Sequence, residues 1–424
     1  MSSVITAGRE HARNRRAHAR RRRHHSFGFW AATAAFLVNM AFSAVPTPLY
    51  VLYQHRDHFS TIMLTVVYAV FAIGVTASLF FGGHISDWVG RKGVFVPALL
   101  VNVVSALIFL IAPSLPGLLV ARIISGVSVG LTTATATAYL AELHLGVLGE
   151  GSSSRRAQVV ATAANLGGIG FGPLVTGLLA QYAPQPLRLP YILFGAVLLA
   201  LALLVAVSPE TAKRPVPPPR YRPQRVAVPM HARGMFFAAT AAGMAAFAVY
   251  GVFNSLAPSF LAGTMHQDSH AVAGAVAFAA FAAGALTQIA MSRVGLHRTL
   301  LVGPLVLIPG LALLVGGMWL PSLTMFVIGG LLTGAGGGLA FRAALTAAGS
   351  TAPPESRAEV LAGFFLGAYV GLSLPVVGLG IATQYAPART VMLVFVVIVA
   401  IAVVLCTRVV GAQHDRGEMP ARPE

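Results

Sequence analysis

The sequence predicts an all-α integral membrane protein of twelve transmembrane helices in two pseudo-symmetric six-helix bundles. Three observations predict it: an apolar surplus that no aqueous surface could carry, an alternation of basic loops that counts the spans, and a repeat at half the chain length. Of 424 residues, 56% are hydrophobic and only 10% are charged. A soluble protein of this size needs roughly 25% charged residues to cover its surface. Mean hydropathy is +0.77, so lipid rather than water faces the apolar excess. Each span is helical, because backbone groups in hydrocarbon have no water to bond.

Taken in order, residues 1–26 form a basic tail containing "HARNRRAHARRRRHH". This is read as a disordered arm held by anionic lipid headgroups. The basic-then-apolar start is similar to a signal peptide, but the apolar run from Phe27 to about Gln54 is too long for a cleaved segment and is kept as the first span. Spans of at least about 20 apolar residues then fall near 27–52, 61–83, 93–113, 117–141, 157–182 and 189–208. A Pro- and Arg-rich stretch, 209–233, reads as an extended cytoplasmic linker. The second set falls near 234–262, 271–291, 299–320, 323–349, 358–383 and 389–410, with 412–424 as a C-terminal tail. The bundles are thus 27–208 and 234–411. Cys406, the one cysteine, sits in the last apolar run and forms no internal disulfide.

The net charge of +17 and pI near 11.2 could indicate a nucleic-acid partner. Charge placement argues otherwise. With the N-terminus in the cytoplasm, Lys and Arg number eight in the N-tail, two in each of the 2–3, 4–5 and 8–9 loops, six in the middle loop, one in the 10–11 loop and three in the C-tail. The outer side holds only Arg56, Arg188 and Arg389, and Arg122 and Arg342 lie inside spans. That asymmetry follows the positive-inside rule, places both termini in the cytoplasm of a plasma or inner membrane, and excludes a missing span. No nucleic-acid partner is expected.

The two halves resemble each other in sequence. "FWAATAAFL" at 29–37 recurs as "FFAATAAGM" at 236–244, "GVSVGL" at 126–131 as "GAGGGL" at 334–339, and "GLLAQYAP" at 177–184 as "GIATQYAP" at 380–387. The steady offset marks a duplicated unit. Each unit holds an even number of spans, so the repeats are parallel and related by an axis along the membrane normal.

Between spans two and three stands "FFGGHISDWVGRKGVF". Gly83 lets a neighbouring helix approach, Gly90 permits a tight turn, and Asp87 can accept from Arg91 beside Lys92. This stretch, the two six-helix halves and the basic middle loop together resemble the major facilitator superfamily over essentially the whole chain. The resemblance implies a secondary transporter working by alternating access, with Gly83, Asp87, Gly90, Arg91 and Lys92 as a conformational latch. It also implies a partner for the latch at the start of span eleven, near 355–360. The second half carries a worn copy, "IAMSRVGLHRT", with Ser292 where the acid would stand. The competing reading is an ordinary topogenic loop with a surface ion pair worth ~0–1 kcal/mol.

Other residues divide by depth. Arg122, one-third into span four, is costly in lipid and expected to face a polar interior, although snorkelling to the outer face is the alternative. Glu142, at the inner end of that span, is expected to form a charge cluster with Arg155 and Arg156 beside Asp87. The Arg, Tyr and Glu spacing is similar to the sugar-porter branch, whose helix-seven signature is absent. Span five carries Gly168, Gly172, Pro173 and Gly177, similar to the Gly-Pro motif of the family's antiporters, with Thr176 departing from the usual Gly. Asn39, Tyr68, Asn165, Tyr250, Asn254, Arg342 and Tyr369 are the mid-depth polar groups expected to meet substrate or handle protons. No Asp or Glu lies at mid-depth, which suits a neutral or anionic cargo.

The reading is therefore proton-coupled efflux of a small organic molecule. The alternative is a facilitator or proton symporter for a sugar-like or anionic metabolite. A non-transporting sensor would add a signalling domain, and an intramembrane enzyme would need a catalytic pair at depth. No zinc spacing, phosphate-binding loop or nucleophile elbow occurs, so no cofactor and no metal are expected, and a monomer is.

Overall fold

A computed structural model describes the chain except residues 1, 149–152, 154, 213–227, 229, 353–356 and 416–424. Its first half contains α1 (Ser2–Ala44), α2 (Tyr50–Asp57), α3 (Thr61–Gly82), α4 (Ser86–Val89), α5 (Arg91–Ile111), α6 (Leu115–Leu148), α7 (Arg155–Tyr182) and α8 (Leu189–Ala206). The second contains α9 (Arg233–Ser255), α10 (Ala257–Met265), α11 (His270–Ala290), α12 (Leu296–Trp319), α13 (Leu323–Ser350), α14 (Arg357–Ala382) and α15 (Ala388–Asp415). Twelve candidate spans result among the described residues, with α1 and α2 counted as one. This is a multi-pass membrane protein.

The packing repeats between halves. In the first, α1 packs on α6, α7 and α8, α3 on α6, and α5 on α6 and α8. In the second, α9 packs on α13, α14 and α15, α11 on α13, and α12 on α13 and α15. Two seams join the halves, α7 along α11 and α3 along α14. Small residues make the first seam close. A side chain on Gly177 would strike the His270 carbonyl, and one on Gly274 would strike that of Pro173, so only hydrogen lets these backbones meet.

Three expectations change. The basic tail is helical from Ser2 rather than disordered: from Ser3 to Ser26 it holds no proline and a single glycine, and it is rich in the strong helix formers Ala and Arg. The first span is not one helix. Pro46 and Pro48 lack the N–H that would continue α1, and a 3-10 turn over Thr47–Leu49 leads into α2. The corresponding helix of the second half breaks in the same region, where Pro258 opens α10. The fourth span reaches Leu148, well past the expected 141. At 1.5 Å per residue α6 is about 51 Å long, and its extra turns carry Glu142 to the loop after α3 while His144 stays buried against Phe29.

Candidate functional site

The loop after α3 folds around one arginine. Gly90 sits at φ 113° and ψ 150°, a conformation closed to side-chain-bearing residues, and it reverses the chain between α4 and α5. Gly83 ends α3 in ordinary helical geometry; the close approach expected there falls on Gly82, whose added side chain would meet Leu131. Arg91 donates from Nη1 to Asp87 Oδ1 at 2.5 Å and Ser86 Oγ at 2.8 Å, and from Nη2 to Glu142 Oε1 at 2.7 Å. Its Nε also faces both Glu142 oxygens, at 3.1 and 3.2 Å. Lys92 donates from Nζ to the Ala206 carbonyl at 3.0 Å.

Sequence reading missed Glu210. Its carboxylate accepts the backbone N–H groups of Arg91 at 2.9 Å and Lys92 at 3.1 Å, the free donors of the first turn of α5. It also accepts from the N–H groups of Thr211 and Ala212. Burial opposes its ionisation, but these four donors outweigh burial and hold the carboxyl below its ordinary range. Thr211 Oγ1 donates to Glu142, and Tyr139 Oη donates to the Pro209 carbonyl at 2.7 Å. The start of the linker is therefore fastened to the first half. Its only sequence signal was an acid directly after a span in a chain holding just 12 acids. Of the 355–360 partner expected for Asp87, residues 355 and 356 lie outside the described residues, α14 starts at Arg357 and Val360 is buried in a core cluster of the second half.

Arg155 and Arg156 do not join this cluster. Arg155 opens α7 and turns to the other half, donating from Nη2 to Ser292 Oγ at 2.9 Å, and Arg156 is exposed. α7, which Arg155 opens, packs along α11, so Arg155 faces the second half and not Glu142.

A cavity of about 470 Å³ lies between the halves, a size suited to a small organic ligand. Its wall runs from Ser43, Tyr68 and Asn254 at mid-depth to Arg155, Ser292 and Thr346 on the face that bears the N-terminal helix and the linker. Tyr68, Asn165, Tyr250, Asn254, Arg342 and Tyr369 line it as expected residues, joined by Phe71, Gln158, Phe247, Phe281, Gln288 and Phe341, which the sequence did not single out. Aromatic residues recur in every span, so only packing distinguishes those that face an opening. Among the described lining residues none is Asp, Glu or His.

Asn39 and Arg122 are not on this wall. Asn39 donates to Thr132 at 3.0 Å and accepts from Asn102 at 2.9 Å and Ser128 at 3.2 Å, tying α1, α5 and α6 together. Arg122 is 1% exposed, one layer behind. Its Nη1 donates to the Ser43 carbonyl at 2.5 Å, and its guanidinium lies over the rings of Phe71 and Tyr68 at 4.4 and 5.7 Å. The rings that cover it line the cavity instead.

From mid-depth toward the opposite face, polar contacts join the halves. Thr47 Oγ1, in the break between α1 and α2, donates to both the carbonyl and the side-chain oxygen of Asn254 at 2.8 Å. The His270 N–H donates to Gln181 Oε1 at 3.0 Å. In span five, an added side chain on Gly168 or Gly172 would enter the α1 backbone at Leu37 or Ala41. Gly172, Pro173 and Gly177 thus set α7 tightly between α1 and α11.

Comparison with known proteins agrees with this architecture. The chain is similar to a bacterial homologue of the human lysosomal transporter Spinster in an inward-facing, unoccupied conformation (TM-score 0.67, 15% identity, covering 94% of this chain and 99% of that one). It is also similar to the nucleoside transporter NupG (TM-score 0.66, 13% identity, covering 90% and 99%). No curated protein sequence matches the chain significantly. Residues 29–315 match the sequence profile of the Major Facilitator Superfamily. With two parallel six-helix halves around a central cavity, the chain belongs to the Major Facilitator Superfamily, a family of secondary transporters rather than enzymes.

Proposed function

We propose that this transporter carries a small neutral or anionic organic molecule out of the cell in exchange for protons. The units 27–208 and 234–411 rock about the α7–α11 and α3–α14 seams. The observation that carries the reading is a central cavity without carboxylates among its described lining residues, open toward the linker-bearing face and shut at Thr47 and Asn254. The Gly-Pro stretch of α7 at the seam supports exchange, because it lets two backbones slide without interlocking side chains. The loop around Arg91, together with Asp87 and Glu142, serves as the latch on that face, and the N-terminal helix rests against anionic headgroups. A second reading, an uncoupled facilitator, is favoured by one observation: among the described residues, no acid or histidine lines the cavity.

Reconstitution decides between them. Protein in liposomes with an imposed pH gradient is challenged with a panel of organic anions and neutral analogues. Substrate-dependent collapse of the gradient is expected for exchange. Substrate flux with an undisturbed gradient identifies a facilitator, and absence of flux for every compound would overturn transport.

A further inference from the structure

Two cations in the cavity wall, Arg155 and Arg342, have no counter-ion among the described residues. Arg155, from the first half, bonds Ser292, and Arg342, from the second, donates to the carbonyls of Met291 and, at 3.5 Å, Val294. Both guanidiniums therefore dock on neighbouring residues of the turn Met291–Arg293. Neither takes part in any ion pair among the described residues. Like charges brought together beside a largely apolar wall repel, and guanidinium groups retain donors that a carbonyl or hydroxyl does not exhaust. One turn back, Gln288 Nε2 is buried with no hydrogen-bond partner and lines the same cavity. An unsatisfied buried donor and two unpaired cations aimed at one space ask for an acceptor of negative charge.

The deeper wall differs in character. Tyr250 stacks on Phe281 with ring centroids 4.7 Å apart, and Phe247 packs on Phe341 at 4.7 Å and edge-on to Tyr369 at 5.6 Å. These rings face the cavity and offer flat apolar surface to a ring or short hydrocarbon body.

We propose that the substrate is an amphipathic organic anion held in one orientation. Its carboxylate, or an equivalent oxyanion, is bound between Arg155 and Arg342 with Gln288 donating, and its aromatic or apolar body lies among the deeper rings. Because each half supplies one arginine, the bound anion neutralises the repulsion across the mouth and favours its closure. The inference rests on the transport reading above and narrows its cargo; Arg122, behind the wall, takes no part.

The test uses the purified full chain and three probes of one shape: naphthoate, the neutral naphthamide and the cationic naphthylmethylamine. Thermal stabilisation in detergent is expected for naphthoate and not for the amine, with the amide weaker. Arg155→Gln and Arg342→Gln each are expected to weaken naphthoate binding by about tenfold or more, as loss of a charge-assisted bond requires, and to weaken amide binding much less. Arg155→Lys restores part of it. Equal binding of acid and amide, or no stabilisation by the acid, overturns the inference. Flux of the same probes in liposomes separates the two readings. Flux without preference for the acid retires the anion site and keeps transport. Acid-selective binding lost in Arg155→Gln, with no flux at all, keeps the anion site and retires transport.

Discussion

Arg91 divides its guanidinium between two carboxylates whose surroundings differ: the Asp87 side chain is 63% exposed and that of Glu142 31%. Water screens the first contact, so Asp87→Asn is expected to cost at most about 1 kcal/mol. Arg91→Gln strands Glu142 beside Thr211 and is expected to cost about 3 kcal/mol. Melting curves in detergent rank the two, and equal shifts would contradict the assignment. Glu210 adds a pH dependence. Its folded pKa lies below its ordinary value, so the stabilisation it gives is complete above the ordinary carboxylate range and fades as pH falls through the folded value. Acidification into that range is expected to lower Tm more steeply in the wild type than in Glu210→Gln. Parallel slopes would show that the bonds to α5 contribute nothing. Asp87 and Arg91 were legible as a pair because they stand four residues apart in one turn. Glu210 was not, since its partners lie 118 and 119 residues away.

Among elements, the α7–α11 seam joins the halves backbone to backbone through Gly177 and Gly274. Gly274→Val places two methyl groups where the Pro173 carbonyl stands, and a backbone contact of that kind relaxes only by separating the helices. The expected outcome is a fall in Tm of several degrees, or about 2 kcal/mol, with the linker-face mouth narrower or the halves parted, read by distances between spin labels on α7 and α11. An unchanged distance distribution would remove this seam as the pivot. The element list itself was largely written in the hydropathy. What escaped was the break in the first span, because Pro46 and Pro48 lie in an apolar run whose composition still reads as membrane. The helical tail escaped because charge suggested solvation more strongly than Ala and Arg suggested helix.

For the whole molecule, the two faces of the cavity are held by unequal numbers of polar contacts. The shut face relies in part on Thr47, whose hydroxyl is shared between two oxygens of Asn254. Thr47→Val removes that link at nearly constant volume. A neutral hydrogen bond is worth about 1 kcal/mol, so the population open on that face is expected to rise about fivefold. Double electron–electron resonance between labels on α2 and α10 reads this change, and an unaltered population would place the closure elsewhere.

Composition, loop charge and the half-length repeat determined that this chain spans a membrane twelve times as two like bundles, because each is a property of segments and needs no knowledge of neighbours. Which polar groups face the cavity was decided only by tertiary structure. Asn39, Arg122 and Tyr250 all look alike along the chain as polar residues at depth. Packing buries the first in a helix-joining network, hides the second behind aromatic rings, and turns the third to the opening. A helix fixes the angular spacing of its side chains but not the rotation at which it docks against its neighbours. That rotation follows from contacts between segments far apart in sequence.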